Sequence, residues 1–269
     1  MLERMDSASR KHIIHFFLFL RYMNSQQFVS PMCKLLALFV VLLFQRDVVF
    51  GESLNHASLF AYSGYLTVPN AYTEDGTWGF HYTYLPKEIA PFHKKQSDNW
   101  VFSSTLGFLP FIEVFFSVYV SPDVNISRSI PNYGADKARS PGIKIRVLQE
   151  KGTLPAIAVG VFDPYIGRAS WSTISSFFVV TSKRLYRERV SLSLGYGLDA
   201  LKKKYSRLNG LWGGCGIRVN KYFDILGDYD GEMWSGGLGL HWKGFDANVA
   251  SIQGRSSAFR VGYKFDLEK

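Results

Sequence analysis

Ten ionisable residues fall at spacings that could handle a charged ligand. Six are cations: Lys144, Arg146, Arg218, Lys243, Arg260 and Lys264. Four are carboxylates: Glu113, Asp224, Asp228 and Asp230. By strand parity the six cations fall on the side opposite the apolar positions, and the four carboxylates are placed to face them. Enclosed inside a barrel, the cations could form a basic track for an acidic polymer. They could equally pair with the carboxylates, because buried charges need partners and neighbouring strands supply them. Asp224 and its neighbours lie between the segments of Arg218 and Lys243, which fits either reading. His81 and His241 share the same side. Acyl transfer at either one needs a nucleophile and an orienting group as well, and no motif singles out a serine. No compact His/Asp/Glu spacing suggests a metal site, so neither metal nor cofactor is expected. Asn125-Ile126-Ser127 matches a glycosylation sequon, and Lys202-Lys203-Lys204 reads as a solvated loop able to touch phosphates.

The elements that must position these residues are two-faced strands. In the clearest copy Val190, Leu192, Leu194, Tyr196 and Leu198 alternate with Ser191, Ser193, Gly195 and Gly197. Successive strand side chains point to opposite sides, so one face is apolar and the other small or polar. The same pattern predicts strands near 77–85, 99–108, 111–120, 142–150, 153–162, 174–183, 190–198, 208–219, 222–230, 235–243, 245–252 and 257–267. Expected outward residues include Trp78, Phe80, Phe102, Ile143, Ile145, Phe178, Val180, Leu211, Cys215, Val219, Phe223, Leu238, Leu240, Phe259 and Val261. The strands at 111–120 and 153–162 are apolar on both sides, so their outward face is not assigned. Long polar joins at 86–98, 121–141, 163–173 and 199–207 alternate with tight ones at Leu109-Pro110, Glu150–Gly152, Leu185–Arg187 and Lys221. Outer-membrane barrels alternate extracellular loops with periplasmic turns in this way. The expected fold is therefore all-β: a transmembrane antiparallel up-and-down barrel of about twelve strands over 77–269, with both ends in the periplasm. The stretch 52–76 is either a lead-in turn or a plug for the lumen.

Composition agrees. Aromatic residues make up 16% of the 269-residue chain and glycines number 24, which suits strands with aromatic girdles and a tight interior. The net charge is +9, of which residues 1–51 carry +3 from six Lys/Arg and three Asp/Glu. Such a charge is ordinary surface charge or an attraction to an anionic partner. No basic helix or recognised module points to nucleic acid. Of the two cysteines, Cys33 falls in a segment expected to be removed and Cys215 is alone on an apolar face, so no disulfide is expected within the mature chain.

Residues 1–51 read as a leader. Met32-Cys33-Lys34 is followed by ten apolar residues, Leu35–Phe44, and then Val49-Phe50-Gly51. A charged start, a short apolar core and a small residue at the cleavage point describe a secretory signal peptide cut between Gly51 and Glu52. The preceding residues reflect either a true start at Met23 or Met32 or a long leader. At the other end, Arg260-Val261-Gly262-Tyr263-Lys264-Phe265-Asp266-Leu267 resembles the insertion signal that barrel-assembly machinery reads, with Arg260, Gly262, Phe265 and Leu267 at its defined positions.

Ser63-Gly64-Tyr65-Leu66-Thr67-Val68-Pro69-Asn70-Ala71, then Asp75-Gly76 and an aromatic strand, resembles the start of YjbH-type proteins. Further likenesses are Gly142–Arg146, Leu154–Gly160 with Asp163-Pro164, Thr181–Arg184 and Leu208-Asn209-Gly210. The resemblance implies a Gram-negative-type outer-membrane protein associated with exopolysaccharide. It brings no catalytic residues with it. The expected role is non-catalytic export or assembly of a surface glycan, with outer-membrane lipid, lipopolysaccharide, the barrel-assembly machinery and a polysaccharide as partners. The alternatives are a small diffusion channel for acidic oligosaccharides and an outer-membrane lipid-modifying enzyme.

Overall fold

The computed structural model describes residues 56–90, 97–121, 136–164, 175–186, 188–199 and 207–267. Two short strands, β1 (His56–Ala57) and β2 (Ser63–Gly64), pair with each other. Twelve longer strands follow: β3 (Thr77–Leu85), β4 (Asn99–Leu109), β5 (Ile112–Ser121), β6 (Asp136–Leu148), β7 (Ala156–Phe162), β8 (Ser176–Leu185), β9 (Val190–Asp199), β10 (Gly210–Arg218), β11 (Phe223–Tyr229), β12 (Trp234–Trp242), β13 (Phe245–Ile252) and β14 (Ser256–Asp266). Each pairs antiparallel with its neighbour in sequence, and β14 pairs with β3 (Phe265 opposite Trp78), so the sheet closes into a twelve-stranded barrel without an edge. Closure pairs every strand's backbone, which a wall immersed in lipid requires.

The outer wall is apolar. Phe102, Leu192, Leu194, Leu198, Leu211, Leu238 and Val249 are exposed along it. Aromatic rings bracket this belt. Near the tight turns, Trp78, Phe80 and Phe265 adjoin Tyr263, Phe245 and Trp242. Near the loops, Tyr84, Trp100, Tyr82 and Phe259 form one group and Tyr229 with Trp234 another. Two girdles flanking an aliphatic band mark a transmembrane barrel. Cys215 faces outward in this band.

Three expectations need correction. On β8 the outward residues are Phe177 (53% exposed) and Val179 (45%), whereas Phe178 and Val180 point inward. All four of Phe177–Val180 are apolar, so alternation cannot choose between the faces. Aromatic packing does: Phe178 stacks inside on Phe162 with centroids 4.7 Å apart and meets Trp212 at 6.1 Å. Val219 lies beyond β10, buried in the tight turn to β11. Finally, β6 begins at Asp136, well before the expected 142, because β5 continues to Ser121 and pairs along that length. On the two strands of unassigned face, Val114 and Phe116 of β5 and Val159 of β7 point outward.

The glycines of the inner face make room for large inward rings. A Cβ on Gly195 would land on the Trp212 indole, and one on Gly160 on the Phe178 ring. Gly195→Ala should therefore overpack the lumen and cost about 1–3 kcal/mol. Urea unfolding of the refolded protein, followed through its tryptophan emission, checks this; an unchanged midpoint contradicts the packing.

Candidate functional site

The lumen is not empty. Every residue from His56 to Thr73 is buried, polar ones included. Such a stretch can leave water only if its backbone groups find partners. Some lie within the segment, which folds as a hairpin: Leu59 N donates to Leu66 O (2.8 Å), Tyr65 N to Val68 O (2.9 Å) and Asn70 N to Ser63 O (3.1 Å). The tight turn at Ala61 takes a left-handed φ of 79°.

The wall supplies the other partners. Asp228 on β11 accepts from the backbone N–H of Leu66 (2.9 Å), Thr67 (2.5 Å) and Val68 (3.1 Å), and from the Thr67 hydroxyl (2.9 Å). Three successive backbone N–H groups thus converge on one carboxylate, as in an anion-binding nest. Glu113 on β5 accepts from Ser63 N (2.8 Å) and from the Ser63 hydroxyl. Lys144 on β6, fully buried, lies 3.4 Å from Glu113 and donates to Ser63 Oγ (2.7 Å) and O (3.2 Å). A hydroxyl chain runs from Tyr65 through Ser193 (2.9 Å) to Ser182 (2.6 Å), which accepts from Ala71 N (2.8 Å). Tyr62 packs its ring on Phe162 (4.5 Å) and Phe115 (5.7 Å). Burial pushes the Tyr62 phenol well above its ordinary pKa, and that of Tyr65 up to about 12.

The hairpin returns to the turn end of the barrel. There Tyr72 donates to Glu150 (2.5 Å) under the Arg184 guanidinium, and Lys264 holds Glu74 at 2.9 Å. Tyr72, Glu74, Glu150 and Arg184, with Asp75, Arg146 and Glu188, line a cleft of about 680 Å³ at that mouth. At the opposite end Arg207, buried, reaches Asp230 (3.7 Å) and the carbonyl of Glu88 (3.2 Å).

Five of the six expected cations face inward, and each has an oxygen partner. Lys144 has Glu113, Arg218 has Asp224 (3.3 Å), Arg260 has Asp246 (2.5 Å), Lys264 has Glu74, and Arg146 donates to the carbonyl of Pro110. Lys243 departs from expectation. It is exposed in the turn between β12 and β13, at φ 46°, with its ammonium 5.6 Å from the Trp242 ring. Parity placed it inward, but the strand ends at Trp242 and the alternation ends with it. Asp230 also lies past its strand, accepting from Glu232 N (2.9 Å) and Met233 N (2.7 Å). At the C-terminal pattern, Arg260 points inward, Gly262 leaves space for His81, and Phe265 and Leu267 point outward. Gly51, Glu52, Cys33, Asn125–Ser127 and Lys202–Lys204 lie outside the described residues.

His81 sits between Thr105 and Asp246, in an order that resembles a nucleophile–histidine–acid triad. Its Nε2 is 3.1 Å from Thr105 Oγ1, but Nδ1 is 2.8 Å from Arg260 Nη1. A guanidinium only donates, so Nδ1 accepts and Nε2 carries the proton. That tautomer donates to Thr105 and cannot act as its base.

Sequence reasoning did not foresee Asp246, Glu74 and Arg207 as charge partners, nor the meeting of His56, Asp224 and His241. Asp246 was legible in principle, since Asp246 and Asn248 alternate with Phe245, Ala247 and Val249. The histidine cluster was not, because the hairpin brings His56 to strands far along the chain. Burial, with His241 beside it, pushes the His56 imidazole down to about 4, so the ring is neutral at physiological pH.

A family model described as "YjbH: Exopolysaccharide biosynthesis protein YbjH" matches residues 56–211, more than half of the chain. The chain belongs to the YjbH family. The YjbH match begins at His56, so it takes in the lumen hairpin along with β3–β9, and it ends at the start of β10. No curated protein matches. Among solved structures, a "KdgM porin" is similar at 12% identity and a TM-score of 0.43, covering 70% of this chain and 98% of that one. The barrel assignment itself rests on the closed ladder of strands.

Proposed function

We propose that this YjbH-family barrel resides in the outer membrane of a Gram-negative-type envelope and serves the export or assembly of an exopolysaccharide without catalysing a step. The observation that carries the reading is the family match, which spans the buried hairpin as well as the wall. The outward alternation of Phe265 and Leu267 suits recognition by barrel-assembly machinery, and the aromatic girdles suit a lipid bilayer faced with lipopolysaccharide.

The hairpin weighs against the alternative of a simple diffusion channel, because it occupies the lumen and engages Glu113, Lys144 and Asp228 of the wall. The cleft at the turn end, with Arg146 and Arg184 among carboxylates, offers a polar surface to a glycan or a periplasmic partner. The protonation of His81 at Nε2 weighs against lipid hydrolysis there.

Removing the protein from its host should lower cell-surface polysaccharide severalfold, measured as uronic acid and neutral sugar per cell, and plasmid-borne wild-type protein should restore it. Unchanged polysaccharide in the deletion strain contradicts the reading. His81→Ala should leave polysaccharide output close to wild type provided the barrel still folds.

A further inference from the structure

We propose that His56, Asp224 and His241 form a binding site for one divalent transition-metal ion of the zinc class, which fastens the start of the lumen hairpin to the barrel wall.

Three donor atoms from three separate elements converge. His56 Nε2 comes from the hairpin, Asp224 Oδ2 from the start of β11 and His241 Nε2 from the end of β12. Their separations are 2.6 Å (His56 to Asp224), 3.3 Å (His241 to Asp224) and 3.1 Å (His56 to His241). Donors on a tetrahedron with bonds of about 2.0–2.1 Å sit roughly 3.3 Å apart. Two of the three spacings already fit, and the third opens by about 0.7 Å to reach that edge.

The surroundings suit a cation better than they suit a bare hydrogen-bond network. Asp224 Oδ2 is buried and has no hydrogen bond of acceptable direction, although two imidazole nitrogens adjoin it. The other carboxylate oxygen, Oδ1, is held by Arg218 Nε at 3.3 Å, which turns Oδ2 toward the histidines. His56 turns its Nε2 toward both Asp224 and His241. Its Nδ1 and the Oδ1 of Asn248 are both buried without partners, and both border the backbone of Gly239, whose missing side chain admits the His56 ring. Asn248 can thus accept the Nδ1 proton, directly or through a water, and fix the tautomer that ligation needs. Asn248 Nδ2 also donates to the carbonyl of Ala57 (2.9 Å), so the same residue holds the hairpin at its base.

Two imidazoles and one carboxylate select a borderline ion such as Zn²⁺ over Mg²⁺ or Ca²⁺, which take oxygen ligands. Three protein ligands leave a fourth position for water. The His241 side chain, 20% exposed, opens that position to the turn-end mouth.

The test uses the full mature chain, tag-free, refolded in detergent and stripped with EDTA. Zn²⁺ is titrated calorimetrically, and Co²⁺ is titrated while its visible absorption is recorded. The expected result is one ion per chain, with Co²⁺ developing the intense bands of a tetrahedral site. His56→Ala and His241→Gln should each weaken binding by at least about 100-fold. Retention of the barrel is checked by the heat-dependent shift in electrophoretic mobility. If His56→Ala does not fold, the partly exposed His241→Gln alone decides. Absence of one-to-one binding in the wild type, or undiminished binding in a folded variant, overturns the proposal.

Discussion

Deletion of residues 56–73 turns a silent barrel into a conducting one. In planar bilayers the intact protein should give no steady channel, because those residues are buried inside the wall from end to end. The wall does not need them to close, since its twelve strands pair only with one another. Without the hairpin the inner face, with its serines, glycines, paired charges and the rings of Phe115, Phe162, Phe178 and Trp212, is open to water, and discrete current steps should appear. The anchor at Asp228 should give a graded version. Asp228→Ala removes the acceptor for three backbone amides and a hydroxyl. Each buried donor left unpaired costs about 1–3 kcal/mol, so hairpin docking should weaken by several kcal/mol and flickering conductance should follow. A deletion that inserts but stays silent contradicts the plugged lumen.

Lys144→Met should be among the most destabilising single substitutions on the inner wall. The substitution leaves Glu113 charged and buried with only the hydroxyl and amide of Ser63 for partners. Breaking a buried ion pair from one side costs about 3–5 kcal/mol. Replacing both members by apolar residues of similar size is often neutral or nearly so. The double variant Lys144→Met/Glu113→Leu should therefore recover much of the loss, apart from the bonds to Ser63. Urea-induced unfolding in lipid vesicles reads both. Equal losses in the single and double variants contradict the pairing.

The barrel was legible in the sequence because lipid outside and a tight lumen inside impose opposite chemistry on alternate residues. Val190–Leu198 shows this plainly, and the long and short joins gave direction to the strands. Legibility failed where one rule met another. Both faces of β8 are apolar between Phe177 and Val180, since the inward ones stack on Phe162 and Trp212 while the outward ones meet lipid. Lys243 obeys the parity of β12 but sits one residue past its end. The charges on the inner face were readable, yet their partners were only partly so. Arg218 and Asp224 face each other on adjacent strands at a register fixed by their turn. Lys144–Ser63, Lys264–Glu74 and His56–Asp224 depend on a hairpin that pairs with the wall through side chains, and side-chain docking leaves no periodic trace in a sequence.

Backbone hydrogen exchange of the protein in lipid nanodiscs tests the central claim, a membrane barrel with its N-terminal hairpin docked inside, most directly. Amides bonded to Asp228 and within the hairpin should open only when the fold opens. Peptides covering 58–70 should then exchange as slowly as those of β9. Exchange of 58–70 within seconds, while the strands stay protected, contradicts the docked hairpin.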